Sequence, residues 1–483
     1  MPELLPTHRI SIILIAKCSN RVRHRRGWAG GVFLNPLNWV TRYRVQRPFS
    51  RRLRIASAPI ATGAASPALA RFAADPGFDP LSGAIDFLLA TYAGDAPRAR
   101  SAMTRLDGTI SPLFAGNDFR KLVVGCFRHA LETGRLDRDK ATLLLDFAER
   151  FDPTFAALGR RCPRRDATPK ILSFDYAKRL SSRLRIVLLF GPSARVYDLG
   201  ERLRSAFATA EVECRVLPGE TDSGEIGAND LVLVDENTIF RKEPEKQQAH
   251  LDRLRKVAKR LGRLVPDPWG KGFDEQLARG ADRYDFFWAM APTLHETAPI
   301  PPGKICLIPF PMGFGPLFDE VAAGPPPEAG LGFCGAIEDY NHHRYFWLLS
   351  ELARGSDLAI RLTSQQPDGL GIAESYRRYL QALLGTAACL SLTMRSTGDR
   401  IQVGRTFDVL RGERLLVQEY TPDALFYLAP GEDFIEVDGA ADLPEVHERI
   451  RSGALEPVRR HGAETFRRAY SDEAVIRHLA TWT

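Results

Sequence analysis

The sequence predicts an α/β protein: two doubly wound parallel sheets of the Rossmann-like kind in tandem, preceded by a small helical region and a basic tail. Three observations predict it. Between Arg185 and Ile308 short apolar runs alternate with helix-period segments, the pattern of parallel strands joined by crossover helices. The same alternation begins again at Leu331 and continues to Val437. Between the two lie Ile308-Pro309-Phe310-Pro311-Met312-Gly313-Phe314 and Gly324-Pro325-Pro326-Pro327, whose prolines interrupt strand and helix and set a boundary at about 310–330.

In chain order, residues 1–62 hold Trp28, Phe33 and Trp39 among many arginines without periodicity, and are expected to be a disordered tail. Residues 63–165 turn helical. Ile85, Leu88, Leu89 and Tyr92 share a face, as do Leu122, Cys126, Ala130 and Leu131, and then Leu143, Leu144, Phe147 and Phe151, with Asp137 as an N-cap. Arg160, Arg161, Arg164 and Arg165 form a basic linker. The first sheet domain is expected over 183–311, with strands at Ile186–Phe190, Val212–Leu217, Leu231–Val234, Leu264–Val265, Phe286–Met290 and Ile305–Ile308. Its helices carry Leu199, Leu203 and Phe207, and then Leu251, Leu254, Val257 and Leu261. The second is expected over 328–470, with strands at Leu331–Cys334, Leu358–Leu362, Ala388–Leu392, Leu415–Val417 and Phe434–Val437, and two closing helices, the last over 471–483.

Composition narrows the class. The 483 residues fit about three domains of roughly 150 residues. No apolar run approaches the roughly 18 residues of a membrane span. Seven widely spaced cysteines without a Cys-x-x-Cys pair read as reduced thiols, which points to the cytoplasm. The net charge of +7 is uneven: residues 1–74 carry thirteen Arg and Lys against one acid, so the tail holds +12 and the rest −5. Such a tail could meet an anionic membrane or a protein by Coulomb attraction, or be plain solvated chain; nucleic acid is not the expected partner.

Gly404 to Glu419 is the most informative stretch. Val403, Phe407 and Leu410 share one side of a helix, Gly412 stops it, and Leu415-Leu416-Val417 is a short buried strand. Asp408 then sits on the helix, while Gln418, Glu419 and Thr421 emerge at the strand's C-terminal end, the ligand-facing edge of an open α/β sheet. This stretch, with Phe333-Cys334-Gly335 and Leu428-Ala429-Pro430-Gly431-Glu432-Asp433-Phe434, resembles the donor half of GT-B glycosyltransferases, the CgeB-like group in particular. The resemblance covers roughly 185–480 and includes the Ile308–Met312 linker.

That resemblance implies two Rossmann-like domains facing across a cleft, acceptor on the first and nucleotide-sugar donor on the second. It implies that Asp408 holds the donor ribose, whose vicinal hydroxyls suit a carboxylate. Arg405, with Arg400 as a second candidate, would face the diphosphate, because a guanidinium offers paired donors and a permanent charge. Arg395, Arg400 and Arg405 could equally form a solvated face. Gly335 would let backbone amides approach phosphate. Asn341, His342, His343 and Arg344 open the next helix and could face the cleft. For an inverting reaction the base is expected at a strand end of the first domain: Asp235 (beside Glu236), Asp267 or His295.

Several chemistries are excluded. Gly330-Leu331-Gly332-Phe333-Cys334-Gly335 fits G-x-G-x-x-G, but its glycines run through the strand instead of following it, so no dinucleotide cofactor is expected. The one Asp-x-Asp, Asp137-Arg138-Asp139, belongs to the helical region, so metal-independent transfer is expected. No Walker loop, Gly-x-Ser-x-Gly turn or His-Glu-x-x-His helix occurs. The expected function is transfer of a sugar from a nucleotide diphosphate sugar to a hydroxyl of a glycan, glycolipid or protein, in a bacterial-type enzyme that is cytoplasmic or peripheral to the inner membrane. A sugar-nucleotide epimerase of the same shape and a non-catalytic scaffold stay open.

Overall fold

The structure is a computed structural model. It describes residues 57–58, 60–62, 81–106, 117–152, 185–190, 199–219, 221, 223–226, 229–235, 244–266, 277–278, 281–292, 300–337, 343–363, 371–394 and 400–482. The expected tail therefore lies almost wholly outside the described residues, as do Arg160, Arg161, Arg164 and Arg165. The chain divides into two compact units, Met1–Ala156 and Ala157–Thr483.

In the first unit the helices are Leu81–Ala93, Ala96–Arg105, Asn117–Glu132 and Arg138–Phe151. Asp95 and Asp137 start two of them by accepting from Arg98 N (3.1 Å) and Lys140 N (2.9 Å), which satisfies amides that have no partner within the helix. Leu81–Ala93 is the central rod, buried from Ala84 to Tyr92. Phe87 stacks on Phe147 with centroids 4.3 Å apart. Asp86 is buried too, and Arg98 and Arg105 supply the countercharges it requires.

The second unit holds both sheets. The first is built from β1 (Arg185–Phe190), β2 (Glu213–Pro218), β3 (Asn229–Val234), β4 (Ala258–Val265), β5 (Phe286–Ala289) and β6 (Ile305–Leu307), in the order β2-β1-β3-β4-β5-β6. The second is built from β7 (Glu328–Gly335), β8 (Ala359–Leu362), β9 (Thr386–Ser391), β10 (Leu415–Glu419) and β11 (Ile435–Val437), in the order β11-β10-β9-β7-β8. Every pairing in both is parallel. These are two Rossmann-like sheets, as the alternation predicts. Gly330, Gly332 and Gly335 all lie within β7, not at a turn into a helix.

Three expectations are corrected. The helix expected to run through Leu261 ends at Val257, and Leu261 instead pairs with Val232 inside β4. The apolar series happened to continue at helical spacing into the strand. The proline-rich boundary contains a helix, Gly315–Ala322, because Pro316 falls in its first turn, where the missing N–H costs nothing. Three helices close the chain instead of two: Leu443–Arg451, Glu456–Thr465 and Asp472–Leu479. Pro444 and Pro457 open the first two, and Ser471 caps the third.

One core joins the two sheets. The face of the first sheet carrying Leu188, Leu233, Leu264 and Trp288 packs continuously with Phe310 and Met312 of the crossing segment and with Tyr376, Phe407 and Tyr470 of the second domain. The closing helix reaches back: Trp482 just beyond it lies 5.7 Å from Phe286 of β5, ring centre to ring centre. The opposite face of the first sheet has its own core, with Leu251 and Leu254 of helix Pro244–Val257 against Val187, Val232 and Val234. Full burial of each such side chain is worth about 1.5–3 kcal/mol.

Candidate active site

In a doubly wound sheet, ligands bind beyond the C-terminal strand ends where the strand order reverses. In the second sheet that point lies between β7 and β9. Arg344, the first residue of helix Arg344–Arg354, bridges it: Nη1 donates to Ala336 O (2.9 Å) and Nη2 to Leu392 O (3.1 Å). A single buried guanidinium thus ties the two strand ends together.

Arg405 occupies the same crevice from the other side. It is the second residue of helix Gly404–Arg411, which crosses from β9 to the parallel β10, so the positive N-terminal end of the helix lies on the side of the C-terminal strand ends. The Arg405 guanidinium lies 5.7 Å from the centre of the Phe333 ring, within cation–π range. It also lies against Gly335 so closely that a β-carbon there would stand 2.6 Å from Nη2. Gly335 was expected to admit phosphate; its bare Cα instead admits the arginine.

The other residues expected to contact the donor are engaged inside the protein. Glu419 is buried, and its Oε2 accepts from Thr393 N (2.8 Å) and Met394 N (3.0 Å). Arg400 lies 3.7 Å from the same carboxylate and donates to Tyr420 O at 3.2 Å. Gln418 accepts from Thr406 Oγ1 (2.5 Å) and donates to Gln402 Oε1 (3.3 Å), while Thr421 Oγ1 donates to Glu419 O (2.9 Å). These groups brace the segments leaving β9 and β10, which is how buried polar atoms must be satisfied.

Asp408 departs furthest from its expected role. It is 1% exposed; Oδ1 accepts from Tyr376 Oη (2.9 Å) and Arg202 Nη2 (3.2 Å), and Oδ2 from Tyr379 Oη (3.3 Å). The carboxylate expected at a ribose points into a network that reaches the first domain. Burial pushes the Tyr376 phenol well above its usual pKa, Arg202 opposes this and Asp408 adds to it. Burial by itself would lower the Arg202 pKa, but Tyr376, Asp408, Tyr379 and Asp472 together hold it above the usual range. Arg202 escaped the sequence reading, although a charge at position 202 between Leu199 and Leu203, on the apolar stripe of its helix, is the sign of such a partner.

The thiols nearby are quiet. Burial raises the Cys334 pKa to about 12 and the Cys389 pKa to about 11, with Arg405 pulling both the other way. Neither is a thiolate at neutral pH.

In the first sheet the order reverses between β1 and β3, and Asp235 stands there: it follows β3, is buried, and its N–H donates to Leu189 O at 3.0 Å. Asp267, His295, Glu236, Asn341, His342 and Arg395 lie outside the described residues; His343 is buried. The two C-terminal edges approach each other. Tyr427, in the short helix Ala424–Tyr427 after β10, donates through Oη to O of Met290, the residue after β5, at 2.9 Å. Among the described residues no group of three or more His, Cys, Asp or Glu is placed to hold a metal ion, and no helix is long and apolar enough to cross a membrane.

No protein-family model and no curated protein matches the chain. Solved structures do resemble it. HepE of Anabaena, crystallised with UDP and glucose, is 8% identical over 62% of this chain and 99% of its own, with a TM-score of 0.45. A glycosyltransferase of Rickettsia africae is 11% identical over 62% and 97%, at 0.42. Sucrose-phosphate synthase of Thermosynechococcus elongatus is 12% identical over 62% and 98%, at 0.40. The likeness is one of outline. The fold rests on the two strand orders; Asp235 directly follows β3 at the reversal of the first, and the Arg405 guanidinium lies against Gly335 at the end of β7, at the reversal of the second.

Proposed function

We propose that this protein transfers a sugar from a nucleotide diphosphate sugar to an acceptor hydroxyl on a glycan, glycolipid or protein. The observation that carries the reading is the Arg405 guanidinium seated on Gly335 at the reversal point of the second sheet, beside the N-terminus of its own helix. A diphosphate meeting that edge finds a permanent charge and oriented amides, and no metal is invoked for the charge that builds on the departing group. Asp235 is the proposed base. As the acceptor oxygen bonds to the anomeric carbon, the carboxylate takes its proton, the bond from that carbon to the diphosphate oxygen breaks, and the nucleoside diphosphate leaves with the electron pair. Asp408 supports the helix that carries Arg405 and is assigned no donor contact. The reduced thiols of Cys126, Cys214, Cys306, Cys334 and Cys389 suit a cytoplasmic setting.

Thermal-shift measurement against UDP, GDP, dTDP and CMP tests the reading, because a ligand at a hundredfold its Kd adds about 2.7 kcal/mol to stability. Stabilisation by one nucleotide in the wild type, lost in Arg405→Ala, is the expected result. One observation favours the non-catalytic alternative: Asp408, Gln418, Glu419 and Thr421 are all held by the protein itself. No shift with any of the four nucleotides decides for that alternative.

A further inference from the structure

The chain passes from the first sheet to the second through Met312-Gly313-Phe314, and side chains from three helices hold the backbone there. Met312 N donates to Asp472 Oδ1 (2.6 Å), and Met312 O accepts from Arg202 Nε (2.8 Å). Gly313 N donates to Asp472 Oδ2 (3.0 Å), and Gly313 O accepts from Arg411 Nη1 (2.8 Å). Phe314 N donates to Ser205 Oγ (2.8 Å). Gly313 has φ +65°, and a β-carbon there would lie 2.3 Å from Arg202 O, so only glycine fits against that helix. Phe314 is also left-handed, at φ 50°.

We propose that this crossing is a fixed joint that sets the angle between the two sheets, and that Arg202 is the positioning residue that carries the angle to the helix bearing Arg405. The sources of these four side chains, and of Asp408 beside them, support it. Arg202 and Ser205 belong to helix Leu199–Thr209 of the first domain, Arg411 and Asp408 to helix Gly404–Arg411, and Asp472 to the closing helix. A free swivel would leave its peptide groups to water. Here a rotation of either domain breaks charge-assisted bonds, those of Arg202 buried and those of Asp472 and Arg411 half-buried, where they are stronger than in water. From the first domain, Arg202 touches both the crossing, at Met312 O, and the Arg405 helix, at Asp408 Oδ1; Asp472 of the closing helix makes the matching link, holding Met312 N and lying 4.0 Å from Arg411. The fork of one guanidinium therefore registers the helix against the first sheet.

The geometric claim stands without any assignment of function; its kinetic consequence rests on the transfer reading above. Spin labels on unnatural side chains at Glu213 and Glu448, exposed positions of the first and second domains, report the inter-sheet distance by double electron–electron resonance. Arg202→Met is expected to shift or broaden the distribution. Arg202→Lys keeps the charge but lacks a fork to span both acceptors, so it does the same to a smaller extent. Nucleotide affinity should stay within about twofold while turnover falls by about ten- to a hundredfold, since misplacement of about 1 Å can cost that much.

A wild-type distribution in folded Arg202→Met overturns the joint, and where that variant does not fold, Arg202→Lys carries the same decision. A shifted distribution with unchanged turnover overturns the positioning role. A shifted distribution in a protein that binds no nucleotide even as wild type supports the joint and removes the transfer reading instead.

Discussion

The guanidinium of Arg405 fills the place where a side chain on Gly335 would begin, with Nη2 2.6 Å from the position of that missing β-carbon. A small residue at the end of β7 and a cation at the start of a helix some 70 positions later are therefore one unit: the first is bare so that the second can lie across the strand end.

Gly335→Ala should displace Arg405 and weaken nucleotide diphosphate binding by about tenfold, or ~1.4 kcal/mol, with the fold intact. Isothermal titration reads this directly, and circular dichroism checks the fold. Arg405→Lys should not restore wild-type affinity, because an ammonium lacks the planar fork. Full affinity in Gly335→Ala would show that the pair does not serve the ligand.

Asp235→Asn should lower turnover by about 10²-fold or more and leave the nucleotide Kd unchanged. Initial rates set beside direct binding make the test. A variant as fast as the wild type moves the base to another residue.

Asp408→Ala should destabilise the protein by about 3–5 kcal/mol, because it strands Arg202 and two phenols in a buried setting. Asp408→Asn should cost less, since its one amide oxygen still accepts from Tyr376 and Arg202, while the Tyr379 hydroxyl can turn to accept from the amide nitrogen. Urea midpoints measure both. A loss of affinity without a loss of stability would return Asp408 to the ribose.

Acid stability should depend on Glu351. Burial alone would raise its pKa, but hydrogen bonds from His447, Ser356 and Arg354 outweigh burial and hold it below the usual value. A depressed carboxylate contributes stability that is present above its unfolded pKa of about 4.3 and is lost as pH falls through the folded value. Urea midpoints between pH 7 and pH 3 should fall less steeply in Glu351→Gln than in the wild type. Parallel curves would show that the Glu351 contacts add no pH-dependent stability.

The fold was largely legible because buried parallel strands write themselves as short apolar runs, as Ile186–Phe190 and Leu231–Val234 do. Boundaries slipped where one residue fitted two periods: Leu261 continues a helical series and also fills a strand register. The site was legible by position only. Topology put Asp235 at a strand end, together with Asp267 and His295, and the resemblance put Arg405 near the diphosphate, but the partner of Asp408 lies 206 residues away, and no local pattern links Arg202 to it. Burial was equally hidden. Gln418 and Glu419 read as exposed strand-end groups until the loops they brace came into view.

The apolar interior shared by both sheets means that neither half is a self-sufficient fragment. Parting the halves would open to water the shared cluster to which Phe310 and Met312 on one side and Tyr376, Phe407 and Tyr470 on the other belong. Expressed separately, the pieces 185–311 and 328–470 would each expose a large greasy surface and would be found aggregated or held by chaperones.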